Sequence, residues 1–192
     1  MLKEEIRILG FDDGAFCSRE GKVPVVGVIF RGGKFLDGVL KTDVEIDGKD
    51  STEKIVKLIN NSRHKQQLKV IMTDGITFGG FNILDIQKVY ESTGLPVIVV
   101  NRKRPNLRKV KEALKNFNDF EERWELIKKA GKVKMCEIKP GVRVYYQCVG
   151  MKDEEAREVL VLSSTRSQIP EPLRVAHLIA TALVKGESSG RA

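Results

Sequence analysis

The chain has 192 residues, of which 41% are hydrophobic, 31% charged and 6% aromatic. That size and balance fit one soluble globular domain over residues 1–192, with a core that needs no staples, and they exclude a disordered or fibrous chain. Lys and Arg number 34 against 26 Asp and Glu, a net charge of +8, which favours a polyanionic partner but suits plain solubility equally well.

No apolar run reaches the roughly 18 residues of a membrane helix. The opening Met1-Leu2-Lys3-Glu4-Glu5 lacks the apolar stretch of a secretory signal. Cys17, Cys136 and Cys148 are an odd number without paired spacing. Neither a disulfide framework nor a zinc knuckle is expected, and a reducing cytoplasm fits.

Three strands open the chain. Ile6 to Asp12 is apolar and then abruptly acidic, Val23 to Arg31 is rich in β-branched residues, and Phe35 to Val44 returns after the tight turn Arg31-Gly32-Gly33-Lys34. A helix follows, capped by Asp50 or Ser51 and striped with Ile55, Val56, Leu58 and Ile59. Leu68 to Thr73 reads as a buried strand ending at Asp74-Gly75, Asn82 to Ser92 as a helix closed by Gly94, and Pro96 to Val100 as a parallel central strand. Right-handed crossovers make these later strands parallel. Beyond them, Pro105 to Lys115 and Phe120 to Ala130 read as basic amphipathic helices, and Val133–Ile138 with Val142–Val149 as a hairpin. Asp153 caps a helix to about Leu162, and Pro170-Glu171-Pro172 starts a last helix through Val184, leaving 186–192 as a tail.

Chemistry in an open α/β sheet gathers where strands end. Asp12 and Asp13 end the first strand and Asp74 the fourth, and a meander followed by a crossover helix brings those strands side by side. Adjacent carboxylates repel, and a divalent cation with oxygen ligands relieves the repulsion. Glu53, in the first helical turn, is a third candidate acid; a helix-dipole role is the plainer reading of it. Asp-Gly after a strand is also a common turn. The basic run Arg102-Lys103-Arg104, continued by Arg108, Lys109 and Lys111, reads either as a nucleic-acid face or as solvated surface. His64 reads as a solvated helix end, and Trp124, at helical spacing with Phe120 and Ile127, as core packing in preference to base stacking. Of Tyr145 and Tyr146, alternation lets only one face a ligand.

Four segments carry a resemblance: Ile8-Leu9-Gly10-Phe11-Asp12, Val70-Ile71-Met72-Thr73-Asp74-Gly75, Leu95-Pro96-Val97-Ile98-Val99-Val100 with Arg102 and Lys103 after it, and Ile169-Pro170-Glu171-Pro172 through His177. Together they resemble the endonuclease V family, and most an uncharacterised archaeal family related to it, over about Ile6 to Val184. The resemblance implies an α/β, ribonuclease H-like mixed sheet, an antiparallel three-strand meander plus parallel strands, flanked by helices. It implies Mg²⁺ (or Mn²⁺) held by Asp12, Asp74 and Glu53, the last standing 21 residues before Asp74. Asp47 and Asp50 are alternatives for the third acid. His177 would assist as an outer ligand or proton acceptor, and Arg102, Lys103 and Arg104 would contact phosphate.

The chain departs from the endonuclease V pattern in two places. Asp43 to Thr52 contains neither the aromatic nor the proline of the family's lesion wedge, and Ile76-Thr77-Phe78-Gly79-Gly80 replaces a basic, His-rich stretch. The expected function is therefore a metal-dependent nuclease acting on DNA or RNA. The alternative is a catalytically inactive nucleic-acid-binding module on the same fold.

Overall fold

The computed structural model describes residues 4–15 and 20–188. Cys17 and the last four tail residues lie outside the described residues. Strand β1 (Arg7–Asp13) pairs antiparallel with β2 (Lys22–Arg31), and β2 with β3 (Phe35–Glu45). Helix α1 (Ser51–Asn60) leads to β4 (Leu68–Asp74), parallel to β1. A small hairpin, β5 (Thr77–Phe78) and β6 (Asn82–Ile83), precedes α2 (Ile86–Thr93) and β7 (Val97–Asn101), parallel to β4. Then come α3 (Leu107–Leu114), α4 (Phe120–Lys129), β8 (Lys134–Lys139), β9 (Val142–Val149), α5 (Asp153–Ser163) and α6 (Glu171–Lys185). The seven-stranded sheet runs β3-β2-β1-β4-β7-β9-β8. The expected meander, crossovers and parallel centre are all present. The late hairpin extends the same sheet, since β9 pairs antiparallel with β7.

Side-chain alternation along the strands divides the core in two. Leu9, Phe11, Ile71, Val97 and Val99 pack with Ile55 and Ile59 of α1 and Ile86 and Val89 of α2. Ile8, Val70, Met72, Ile98 and Val100 face Ala156, Val159 and Leu160 of α5 and Leu173 of α6. Farther along α6, Ala176 and Ala180 cover Val26, Val28 and Phe30 of β2. Among the described residues no helix is long and apolar enough to cross a membrane.

Three local expectations are corrected. The helix expected from Asn82 begins at Ile86, capped by Asp85, whose side chain accepts the Lys88 N–H. Asn82 is instead fully buried in β6. Its side chain accepts the Ser51 N–H and donates to the Glu45 carbonyl and the Asp50 carboxylate. That set of partners also caps α1, a task the Asp50 side chain does not perform. Asp153 is the first residue of α5 rather than its cap, and Glu155 reaches back to the Lys152 N–H. Helix α4 is not basic: Glu121, Glu122 and Glu125 balance Arg123, Lys128 and Lys129.

Candidate active site

The β1–β4 ladder is in register through Gly10–Met72 and Phe11–Thr73. One step further along parallel strands roughly 5 Å apart, Asp12 and Asp74 stand side by side. Alternation turns both toward the α6 side of the sheet, where Gly10 and Met72 also point. Asp12 is only 5% exposed.

Helix α6 is laid along β1 by close packing. A Cβ on Gly10 would stand 2.5 Å from Cβ of Pro172, and one on Gly14 would stand 2.6 Å from Val184. Glycine at both positions lets the helix approach the strand directly. From Pro172 to His177 the helix rises about 7.5 Å, while β1 advances about 6.6 Å from Gly10 to Asp12. The near match sets His177 over Asp12, with Nδ1 2.8 Å from Asp12 Oδ2. The N-terminus of α6 is fixed by Glu171, which is buried, pairs with Arg174 and accepts the N–H groups of Arg166 and Ser167.

Burial raises Asp12 above the usual carboxylate range, and the Asp74 charge adds to this, opposed by His177 and the Asp13 N–H. Burial raises Asp74 as well, and the Arg102 and His177 charges pull it down. His177 is raised, chiefly by its hydrogen bond to Asp12. Asp13 points to the other side, where the Gly79 N–H donates to its Oδ2 at 2.6 Å. Burial nevertheless pushes Asp13 up to about 6, with the Asp12 charge contributing. Burial at the neighbouring ends of β1 and β4 is thus what chiefly raises these three acids, Asp12 and Asp74 on one side of the sheet and Asp13 on the other, with repulsion between them adding to it.

Of the sequence candidates, the structure joins Asp12, Asp74, His177 and Arg102. It does not join Glu53, which is exposed in the first turn of α1 and makes no hydrogen bond or ion pair with the described residues. Glu53 does not figure among the charges acting on Asp12, Asp13 or Asp74. The acid beside the pair is Asp13. Asp47 and Asp50 are occupied elsewhere: Asp47 accepts the Phe81 N–H, and Asp50 binds Asn82 and the Glu45 N–H. Among the described residues, no group of three or more His, Cys or acidic side chains is gathered ready to hold a metal ion. The hard oxygen donors of Asp12 and Asp74, both raised by burial, still have the chemistry that Mg²⁺ or Mn²⁺ prefers.

Arg102, Lys103 and Arg104 line a cavity of about 430 Å³ together with Arg143, Tyr145 and Gln168. Arg143 and Gln168 were not singled out by charge or spacing. Alternation allowed one tyrosine of the pair to face a ligand; Tyr146 is fully buried and Tyr145 lines the cavity. His64 is half-buried beside Arg63, near a turn rather than in any site.

The mixed seven-stranded sheet flanked by helices is the ribonuclease H-like fold, and solved structures of endonuclease V share that fold. The catalytic domain of human endonuclease V matches with a TM-score of 0.57 at 16% identity, over 92% of this chain and 81% of that one. Endonuclease V of Ciona intestinalis, in complex with a DNA containing inosine, matches with a TM-score of 0.59 at 15% identity, over 90% and 83%. A protein of unknown function from Archaeoglobus fulgidus is nearer, with a TM-score of 0.85 and 37% identity over 94% and 99%. The chain belongs to the Endonuclease dU family, whose model matches residues 4–184. An archaeal relative described as a UPF0215 protein, from Methanosarcina mazei, is 53% identical over 192 residues, all of this chain and 97% of its own.

Proposed function

We propose that the chain is a metal-dependent endonuclease that hydrolyses phosphodiester bonds in nucleic acid, and that DNA containing deoxyuridine is the first substrate to try. The observation that carries this reading is the side-by-side placement of buried Asp12 and half-buried Asp74 at adjacent strand ends, with His177 hydrogen-bonded to Asp12. The family's name supports the deoxyuridine, and the inosine-containing DNA bound to Ciona endonuclease V supports nucleic acid as the partner.

Asp12 and Asp74 would hold Mg²⁺ or Mn²⁺, which when bound supplies an activated water and stabilises charge at the scissile phosphate. The protein's own groups do the rest. His177 fixes the Asp12 carboxylate through Nδ1, leaving Nε2 to exchange a proton with the substrate. Arg102, within electrostatic reach of Asp74, orients a phosphate beside the pair. Glu53 has no part in this reading.

The test is cleavage of deoxyuridine-containing DNA, inosine-containing DNA and RNA with Mg²⁺ or Mn²⁺. Asp12→Asn and Asp74→Asn are expected to slow cleavage by about 100-fold or more. No cleavage of any substrate, or full activity in Asp12→Asn, rejects the reading. The competing reading, a binding module without chemistry, is favoured by one observation: among the described residues, no third acid closes around Asp12 and Asp74 in the way Glu53 would have done. It predicts nucleic-acid binding that Asp74→Asn leaves intact and cleavage that never occurs.

A further inference from the structure

We propose that a groove running away from Asp74 takes an unpaired nucleic-acid strand, with Tyr145 and Trp124 as successive stacking stations and Arg104 between them. The proposal rests on the nucleic-acid reading above and adds which form of the polymer is bound and where.

Two cavities meet at Arg104, one of about 430 Å³ and one of about 480 Å³. The first is lined by Arg102, two residues beyond Val100, the β7 residue paired with Asp74, and the Arg102 charge acts on Asp74, so this residue links the groove to the candidate site. Its walls supply Arg102, Lys103, Arg104 and Arg143, and the second cavity adds Lys128 and Lys132. Neither is lined by an acidic residue, although 26 are available in the chain. Glu137 and Glu125, which pair with Arg143 and Lys128, stand outside the lining. The groove between α5 and β8 is the contrast: it is lined by Glu137, Glu154 and Glu158 and would repel the same ligand.

Charge selects a polyanion, and the aromatics select its form. Each cavity has one aromatic side chain in its lining, Tyr145 in the first and Trp124 in the second. Both are half-buried, anchored on one side and open on the other. The Lys111 ammonium sits 5.4 Å from the centroid of the Trp124 ring and adds positive charge there. Base-on-ring stacking contributes about 1–3 kcal/mol per base and requires a base free of its partner. A duplex could present phosphates to the basic rim, but it could not seat bases in two concave stations.

Trp124 is the chain's single tryptophan, so its emission reports directly on the second station. The experiment titrates full-length protein, without divalent cation, with an oligothymidine of about 12 nucleotides and with a duplex of the same length. The oligothymidine is expected to quench Trp124 saturably, with an affinity that falls steeply between about 50 and 200 mM salt, and the duplex to bind about tenfold or more weakly. Arg104→Glu and Tyr145→Leu should each weaken binding about tenfold with unchanged melting temperature, and Tyr145→Phe should restore it. Equal binding of the two forms, wild-type affinity in Arg104→Glu and Tyr145→Leu, or binding with no change in Trp124 emission overturns the proposal. Because no cleavage is read, an oligothymidine that binds as described while no substrate is ever cut upholds the groove and removes only the nuclease reading.

Discussion

Asp12 and His177 are 165 residues apart in the chain and 2.8 Å apart in the fold. Each shifts the other: the carboxylate raises the imidazole, and the imidazole opposes the effect of burial on the carboxylate. The proton on His177 is therefore expected to be held above the ordinary histidine value near 6.5. NMR titration of the two histidines checks this. His177 should titrate above 6.5 in the wild type and move back toward 6.5 in Asp12→Asn. A raised histidine adds stability that is complete below the unfolded value and disappears as pH rises through the folded one. His177→Ala should thus cost stability at pH 6 and progressively less at alkaline pH, measured by urea denaturation.

Burial of Asp12, Asp13 and Asp74, with the repulsion between them, has the opposite sign. A carboxyl group whose folded pKa lies above its unfolded value destabilises the native state wherever it is ionised. For Asp13, pushed up to about 6, that cost is complete above pH 6 and gone below the unfolded value near 3.8. Asp13→Asn keeps an oxygen for the Gly79 N–H, so it should stabilise the protein by about 1–2 kcal/mol at pH 8 and by nothing at pH 3.5. A divalent cation should do similar work: Mg²⁺ or Mn²⁺ is expected to raise the melting temperature of the wild type at pH 8, and to do so less in Asp74→Asn. Equal shifts in both proteins would argue that the ion binds elsewhere.

The seat of α6 makes a third expectation concrete. Gly10→Ala places a methyl 2.5 Å from Pro172 Cβ and 2.7 Å from its backbone carbon, and neither can turn away as a flexible side chain would. The helix must shift off the strand, and overpacking of this kind costs about 1–3 kcal/mol. The displacement should also break the His177–Asp12 bond, so His177 is expected to titrate near its ordinary value in Gly10→Ala. A destabilised protein whose His177 remains raised would show that the helix position does not depend on Gly10.

Much of this was legible in the chain. The strands announced themselves as apolar runs, and a meander plus one crossover was enough to make Asp12 and Asp74 neighbours. His177 was legible only through resemblance, because a lone histidine on a helix carries no signal of the strand it will cover. Glu53 was overvalued: its spacing from Asp74 matched, but spacing along the chain does not say whether a side chain turns to the strand ends or to solvent. Asp13 was undervalued for the related reason that alternation sent it to the opposite side, where a buried backbone N–H received it. Asn82 was misread as helical because what fixes it, Ser51 and Glu45, lies 31 and 37 residues away. The hairpin of β8 and β9 was recognised, but its partner β7 was not, since local pattern encodes a strand and not its neighbour.

Arg123 was among the residues of a helix expected to be basic, and it is a buried fastener instead. Its guanidinium donates to the carbonyls of Gly48, Phe81 and Asp47 and pairs with Asp119 at 2.7 Å, over the Phe117 ring. These bonds tie α4 to the loop before α1 and to the β5–β6 hairpin. Asp47 is held there with φ at +54°, a conformation costly for a residue with a side chain. Because Gly79, in the same hairpin, meets Asp13, the fastener also steadies the floor of the acidic cluster. Arg123→Met would keep the bulk but strand three carbonyls and leave Asp119 with Lys49 as its remaining cation, at a cost of about 3 kcal/mol or more. The wild type carries a pH signature of the same contact. Arg123 above all holds Asp119 down to about 2, so the pair's contribution is complete above the unfolded value near 3.8 and is lost as pH falls through 2. Over that interval the wild type should lose about 1–2 kcal/mol that Arg123→Met does not, read from acid unfolding curves of the two proteins. Parallel curves between pH 4 and 2 would show that Asp119 gains nothing from Arg123.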